Sequence, residues 1–313
     1  MYDHIHQKNN VIKTGLTEFD AILNGGIHVP SLIVMLAESN MGKSLIKSAI
    51  SSNLITQNKK ILYLHGELSE QYMAERLVRN ILDLSNEELR NLTEKSFFDR
   101  FIEISKNIGN SIIYRRFAPG VTNVGHIRQL LRDLEIKYKF IPDLIMLDYL
   151  GLFAPLAVSN NAGSNEKGIV KCQELQALIS DYNIPVFTSA QANRSGYGKS
   201  KLDPTNIADA IGIFAEADAV VGVTQTEEQR EMPIPIYTWD LMKSRFGLNK
   251  QEATIGINYD KMRLINVGDE NDSQVSKIRE EKDRQVVNEA TREINKKLKE
   301  EKSIKKYFEI EEW

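Results

Sequence analysis

The chain has 313 residues, of which 42% are hydrophobic and 27% charged, and its formal net charge is −3. This composition excludes a chain that is disordered throughout, and no apolar run approaches the ~18 residues of a membrane-spanning helix. The single cysteine, Cys172, excludes a disulfide scaffold and a thiolate metal site, and it is typical of a reducing compartment.

The chain opens with a short polar lead-in, predicted over residues 1–12. Its first ten residues, MYDHIHQKNN, predict no secretory signal, so we expect a cytoplasmic protein with no membrane partner. Because the net charge is slightly negative, any contact with nucleic acid needs a local basic face.

The next part of the chain, residues 13–268, alternates apolar strands with helical segments and is predicted to be one α/β domain. Strands are predicted at residues 31–37, 60–67, 111–117, 143–150, 184–191 and 218–225. The first five are each followed by a segment long enough for a crossover helix, which predicts a mostly parallel sheet with helices on both faces. Later strands at 233–245, 251–260 and 263–267 are joined by short turns and predict an antiparallel carboxyl-terminal extension.

The composition changes at Asp269, and residues 269–313 are rich in both acidic and basic side chains. Apolar residues at helical spacing predict an exposed helix in this tail. Two interpretations stay open: a solvated, partly disordered tail, or a helix that docks onto a subunit or partner.

The sequence AESNMGKS follows the first long strand and leads into a helical segment. It matches the phosphate-loop pattern G-x-x-x-x-G-K-[ST], with Ala37 in place of the first glycine. Main-chain N–H groups of such a loop bind phosphates, the lysine reaches the β and γ phosphates, and the serine hydroxyl binds Mg²⁺. The predicted nucleotide-binding residues are Ala37, Glu38, Ser39, Asn40, Met41, Gly42, Lys43 and Ser44, with Ser44 also a metal ligand.

Three polar residues follow apolar strands at the edge where α/β sheets bind ligands: Glu67, Asp148 and Gln191. Asp148 after four apolar residues indicates an orienting group for Mg²⁺, and the alternative is a strand-end cap. Glu67 is placed to polarise an attacking water, and the alternative is a cap for the helix near Ser69. Gln191 has the amide needed to detect the γ-phosphate, and the alternative is a sheet-edge hydrogen bond.

The ordered motifs together resemble the carboxyl-terminal motor domain of DnaB-type replicative helicases, within the RecA-like ATPases, and in particular the T-even bacteriophage type. The resemblance covers roughly residues 10–268. It rests on the phosphate loop and on TGLTEFDAILNGG (14–26), HGELSEQYMAERL (65–77), LIMLDYLGLF (144–153), SAQANR (189–194), NIADAIGIFAEAD (206–218) and MKSRFG (242–247).

The resemblance implies a role for each matching residue. Glu67 corresponds to the catalytic glutamate, Asp148 to the second metal-binding motif and Gln191 to the phosphate-sensing glutamine. Arg76 matches an arginine that serves the nucleotide site. Lys243 and Arg245 match the lysine and arginine fingers inserted into the neighbouring subunit's site. Side chains two apart on a strand point the same way, so this pair could act together on a departing phosphate.

The match is incomplete in the DNA-contacting loop, where the arginine–glutamate pair of the family is replaced by Ala208 and Asp209. Main-chain N–H groups would then have to hold the DNA phosphates. The residues predicted to bind DNA are Lys199, Lys201, Asp209, Ala210, Ile211 and Gly212. A second candidate is the loop SNNAGSNEKG at 159–168. The resemblance covers the motor domain and not the amino-terminal collar of full-length family members, so it implies nothing about collar functions.

The sequence thus predicts an ATP- and Mg²⁺-dependent replicative helicase that forms a hexameric ring around single-stranded DNA. The expected setting is phage replication in a bacterial cytoplasm. Candidate partners are a primase, a helicase loader and a single-strand-binding protein. Two alternatives stay open: a RecA-type recombinase or mediator ATPase that does not unwind, and a nucleotide-gated loader or scaffold.

Overall fold

We describe the fold from a computed structural model of the chain. The residues that the structure describes are 10–67, 69–156, 158, 162–192, 202, 210–247 and 251–267. The chain divides into two compact units, residues 1–266 and 267–313, and every described residue except Val267 lies in the first. Across these described ranges, no helix has the length and apolar character that crossing a bilayer requires. The predicted tail at 269–313 lies outside them and stays a prediction.

A mixed sheet forms the centre of the fold. The strands of the described residues are β1 (Val11–Ile12), β2 (Ile27–His28), β3 (Leu32–Ala37), β4 (Ile61–His65), β5 (Ile112–Arg116), β6 (Leu144–Asp148), β7 (Val186–Gln191), β8 (Ala219–Thr224), β9 (Ile236–Ser244), β10 (Glu252–Asn258) and β11 (Arg263–Asn266). Nine of them form the central sheet, in the order β11-β10-β9-β8-β3-β7-β6-β4-β5, and β1 pairs with β2 in a separate two-stranded sheet. The strands from β8 to β5 are parallel, and β9, β10 and β11 are antiparallel. The predicted parallel sheet with an antiparallel extension is confirmed.

Helices lie in the connections between these strands. They are α1 (Thr17–Ile22), α2 (Lys43–Thr56), α3 (Glu70–Ile81), α4 (Asn86–Asn91), α5 (Glu94–Ile108), α6 (Val124–Tyr138), α7 (Ser164–Tyr182), α8 (Ala210–Glu216) and α9 (Glu227–Glu231), with a 3-10 turn at Leu150–Leu152. The connection after β4 holds three helices, α3, α4 and α5.

Both faces of the sheet are buried, as β3 shows most directly. Ile33 and Met35 belong to one hydrophobic core, with α1 and α2, while Leu32 and Val34 belong to a second core, with α6 and α7. Successive side chains of a strand point to opposite faces, so a strand covered on both sides reads as a continuous apolar run. Cys172 lies buried in the second core.

Two local features differ from the sequence prediction. Part of the predicted lead-in is ordered, because Val11–Ile12 pairs with Ile27–His28 and Ile12 is buried in the first core. Helix α7 begins at Ser164, so the second half of the predicted loop at 159–168 is helical. Residues 1–9 lie outside the described residues, and the predicted domain boundaries stay predictions.

Candidate functional site

The predicted site residues meet at the carboxyl edge of the parallel strands. The strand register pairs Ala37 with Gln191 on neighbouring β3 and β7, and it pairs His65 with Asp148 on β4 and β6. Glu67 follows β4 by two residues, so it lies at the same edge. Parallel strands end together, which is why residues far apart in sequence converge on the loop after β3.

The predicted phosphate loop between Ala37 and Lys43 ends in a left-handed glycine directly before a helix. Gly42 has φ +72°, in the left-handed region, and helix α2 starts at the next residue. A side chain at Gly42 would also stand 3.1 Å from the hydroxyl of Tyr237. Ser69 caps α3 and Thr93 caps α5 with their side chains, but none of the described side chains caps α2. The first N–H groups of α2 are therefore available to an anion.

Lys43 is folded back onto this loop. Its Nζ donates to the carbonyl oxygens of Glu38 at 2.6 Å and Ala37 at 3.3 Å. Burial, and secondarily repulsion by the ammonium of Lys47, lower the pKa of Lys43 to about 8. A cation that is held by main-chain carbonyls and partly desolvated gains charge partners when a phosphate arrives, which suits it to bind a polyphosphate.

Asp148 is the buried carboxylate of the site, with an exposed fraction of 6%. Lys47 donates to its Oδ1, and the Tyr63 hydroxyl donates to its Oδ2 at 3.2 Å. Burial alone would raise the pKa of Asp148, but the ammonium of Lys47, with hydrogen bonds from Lys47, Ser44 and Tyr63, holds it below its ordinary value. Asp148 therefore stays ionised beside Ser44.

Sequence reasoning identified Asp148 but missed Lys47 and Tyr63, which bind it, and Ser189, which binds Lys47. One signal for Lys47 was in the sequence: it stands in LIKSAI, between residues of α2 that are all buried. A lysine at such a position needs a partner. The partner could not be identified, because Asp148 is 101 residues further along the chain.

Glu67 and Gln191 lie on either side of this centre. Glu67 is exposed, and the helix after it is capped by Ser69, so Glu67 does not serve as the helix cap. Gln191 donates through Nε2 to the hydroxyl of Ser39 within the loop. This contact joins the end of β7 directly to the predicted phosphate-binding turn.

Arg76 lies on α3, beside β5 and not within the loop itself. Its Nη1 nitrogen is buried without a hydrogen-bond partner among the described residues, and so is the hydroxyl of Tyr114 on β5. The guanidinium acts on the phenol electrostatically, although burial is the larger influence on the pKa of Tyr114, which it raises.

Lys243 and Arg245 lie at the opposite side of the sheet, near the amino-terminal ends of the parallel strands. Arg245 N donates to the carbonyl of Asp218 at 2.9 Å, and Asp218 N donates to that of Leu32, the first residue of β3. The loop begins after Ala37, the last residue of the same strand, about 16 Å further along. Arg245 therefore cannot reach the predicted phosphate loop of its own chain.

Both cations contact the end of α8, so they lie side by side as the K-x-R spacing predicts. Lys243 donates to the carbonyls of Phe214 and Ala215, and Arg245 donates to that of Ala215 at 3.1 Å. Arg245 also pairs with Asp218 at 2.9 Å, with 51% of its side chain exposed. Cations at the carboxyl end of a helix are favourable because they complement its dipole.

Three of the six residues predicted to bind DNA, Lys199, Lys201 and Asp209, lie outside the described part of the chain. Ala210, Ile211 and Gly212 form the first turn of α8, and the N–H of Gly212 donates to Asn165 Oδ1 on α7 at 3.0 Å. In this structure the Gly212 N–H is thus already paired.

The predicted metal site has few protein ligands. Over the residues that the structure describes, no group of three or more His, Cys, Asp or Glu side chains is arranged to hold a metal ion. The oxygen ligands proposed here are the Ser44 hydroxyl and the Asp148 carboxylate, and Ser44 lies close enough to contribute to the lowered pKa of Asp148. Mg²⁺ usually takes one or two protein oxygens and completes its shell with water and phosphate, so these donors fit it.

Comparison with known proteins agrees with this geometry. The relative from Enterobacteria phage T4, a DnaB-like replicative helicase, is 27% identical over 269 residues, which are 83% of this chain and 55% of that protein. The chain spans about half the length of the curated relatives that it matches.

Solved structures show the same fold. One that is described as an ATPase domain superposes with a TM-score of 0.71 at 16% identity, over 85% of this chain and 95% of that one. A structure described as a DnaB-like replicative helicase and its interactions with primase has a TM-score of 0.70 at 17% identity, over 85% of this chain and 66% of that one. These similarities confirm the predicted RecA-like core. The model of the DnaB-like helicase C-terminal domain matches residues 11–263, so the chain belongs to that family.

Proposed function

We propose that this chain is the ATPase motor of a replicative DNA helicase, which hydrolyses ATP, moves along single-stranded DNA and separates the duplex ahead of it. One observation carries the proposal: the loop residues, Asp148 and Gln191 lie at one edge of the sheet, and Lys243 and Arg245 lie at the other. A nucleotide site completed between two copies of the chain needs this separation. Family membership supports the same conclusion.

Binding of ATP falls to the loop and the start of α2. Main-chain N–H groups of this turn hold the phosphates, and Lys43 exchanges the carbonyls of Ala37 and Glu38 for the β and γ phosphates. Ser44, through its hydroxyl, and Asp148, through its carboxylate, would hold Mg²⁺. When bound, the ion neutralises charge on the phosphate oxygens.

Glu67 is the proposed general base. It takes a proton from water as the water oxygen attacks the γ-phosphorus, and the bond from that phosphorus to the ADP oxygen breaks. Its exposure at the open edge of the sheet gives water access to it. Gln191 is the proposed detector of the γ-phosphate, since its amide already contacts Ser39 in the loop. Arg76 is proposed to serve the same site from α3.

Lys243 and Arg245 are the proposed fingers that complete the site of a neighbouring copy. There they would exchange the carbonyls of Phe214 and Ala215 for phosphate oxygens and stabilise the charge that spreads over the departing group. Contacts of this head-to-tail kind form a ring when the rotation between neighbours closes, and a homohexameric ring is proposed.

Single-stranded DNA is the proposed substrate of the ring channel. Lys199, Lys201 and residues 209–212 remain the proposed contacts. A primase is a proposed partner, because one structural neighbour is described with its primase interactions. A helicase loader and a single-strand-binding protein are further proposed partners. The alternatives of a recombinase or a scaffold are not favoured, since the matched family is that of DnaB-like helicases.

The test is an unwinding assay on a forked DNA duplex with the full chain, ATP and Mg²⁺. We expect strand separation that stops in the Glu67→Gln variant while nucleotide binding persists. ATP hydrolysis stimulated by single-stranded DNA but without strand separation would instead indicate a recombinase-type ATPase. Turnover that is unchanged in Glu67→Gln would contradict the proposed chemistry.

A further inference from the structure

Lys47 is a fully buried lysine beside the nucleotide site, with an exposed fraction of 0%. It lies one helical turn after Lys43 on α2, and residues four apart on a helix are neighbours on one face. Lysine is almost never fully buried unless its charge is paired. The position of Lys47 therefore requires an explanation from its contacts.

Two residues from separate strands bind the Lys47 ammonium. Its Nζ donates to Oδ1 of Asp148 on β6 and to the hydroxyl of Ser189 on β7 at 2.6 Å. Ser189 precedes Gln191 by two residues, so the lysine joins α2 to two of the strands whose ends form the site, β6 and β7. Tyr63 holds the other oxygen of Asp148 at 3.2 Å. The carboxylate is thus fixed through both of its oxygens.

This contact changes the electrostatics of the site. The charge of Asp148 is balanced by an ammonium that belongs to the protein, before any metal ion arrives. The same ammonium, near Lys43, adds positive potential where triphosphate binds and repels a divalent cation. Both effects favour nucleotide binding in the absence of a metal ion, and both reduce the additional affinity for nucleotide that the metal ion supplies.

We propose that Lys47 is a positioning residue of the nucleotide site: a built-in cation that fixes Asp148 and lowers the dependence of nucleotide binding on the divalent ion. The inference rests on the proposed function, because it takes residues 37–44 to be the phosphate loop. Lys47 does not touch the nucleotide; it acts through Asp148 and through its charge.

The test measures the dissociation constant of a fluorescent ATP analogue in EDTA and in saturating Mg²⁺, for the full chain and for Lys47→Met. We expect the ratio of the dissociation constant in EDTA to that in Mg²⁺ to rise at least about tenfold in Lys47→Met, equivalent to roughly 1.4 kcal/mol of coupling. Lys59→Met is the matched control, because it removes the same charge from a partly exposed lysine that pairs with Asp143. Its ratio should equal that of the unmodified chain.

A ratio in Lys47→Met that stays within about twofold of the unmodified chain overturns the proposal, since neither charge effect would then operate. If Lys47→Met does not fold, Ser189→Ala decides instead. It removes only a hydroxyl, which is one of the two acceptors of the ammonium. We therefore expect the ratio to rise about threefold, as for the loss of one hydrogen bond. An unchanged ratio in Ser189→Ala would then overturn the proposal.

The result is distinguishable from failure of the proposed function. If the loop is not a phosphate site, the unmodified chain binds no ATP analogue in either condition, or Lys43→Ala binds it as well as the unmodified chain does. If only the role of Lys47 is wrong, binding depends on Lys43 but the ratio does not respond to Lys47 or Ser189.

Discussion

Two variants that are each inactive should restore hydrolysis when mixed, if the nucleotide site is shared between copies. Lys43→Ala disables the loop but leaves the fingers intact, and Arg245→Ala does the reverse. The structure separates the two functions, because Arg245 is level with Leu32 and the loop begins about 16 Å away along β3. A loop in one copy must therefore be completed by Arg245 of another.

The expected magnitudes follow from this separation. Loss of an arginine finger costs about 10³-fold or more in turnover, so each variant alone should be nearly inactive. When equal amounts of the two variants assemble at random, about a quarter of the interfaces pair an intact loop with an intact finger. The mixture should recover up to that fraction of the activity of the unmodified protein.

The assay is single-turnover hydrolysis of ATP by variants that are mixed before assembly, so that sequential firing around a ring is not required. Separately assembled rings that are combined afterwards serve as the control and should stay inactive. Activity of the mixture no higher than the mean of the two variants, with ATP still bound by Arg245→Ala, would refute the shared site. So would Arg245→Ala that hydrolyses ATP at the normal rate.

Three further outcomes are expected. Glu67→Gln should lower the hydrolysis rate by about 10²- to 10⁴-fold in rapid-quench measurements with nucleotide affinity nearly unchanged, and a parallel loss of affinity would argue against a general base. Phosphate binds the ammonium form of Lys43, whose pKa is lowered to about 8, so ATP affinity should fall as the pH rises through that value. Fluorescence titration should show this fall in affinity. Lys43→Arg stays charged and should abolish the pH dependence. Gly42→Ala should reduce the free energy of unfolding by more than Gly120→Ala does, because the two glycines have nearly the same positive φ but only a side chain at Gly42 would also stand against the Tyr237 hydroxyl. We expect a cost of about 1–2 kcal/mol from the backbone alone, measured by urea denaturation, and equal effects of the two substitutions would contradict this reasoning.

The strands could be predicted in chain order from the sequence because local patterns carry that information. Continuous apolar runs such as residues 32–37 are needed where both faces of a strand are covered, and the structure covers both. Ser39 and Gln191 could each be placed at a strand end for the same reason. Their contact across the loop followed from parallel strands ending together.

Other features depend on register and packing, which local patterns do not encode. The three helices between β4 and β5 satisfy no motif that the sequence displays, and the pairing of Val11–Ile12 with Ile27–His28 is too short to leave a periodic signal. The placement of Lys243 and Arg245 at the far edge follows from the antiparallel pairing of β9 with β8. The residue pattern of a single strand does not show how that strand pairs with its neighbour, so it cannot show at which end of the sheet its last residues lie.

The chemical identity of the site was therefore determined by the sequence itself: a loop with Gly42 and Lys43, and a carboxylate at the end of an apolar strand, are short-range signals with a direct chemical reason. Only the tertiary structure decided which charges meet. Lys47 pairs with Asp148 because helix α2 packs across the ends of β6 and β7, and a contact over 101 residues leaves no trace in local spacing. Burial then made that pairing obligatory, since an ammonium inside the core requires a counter-charge.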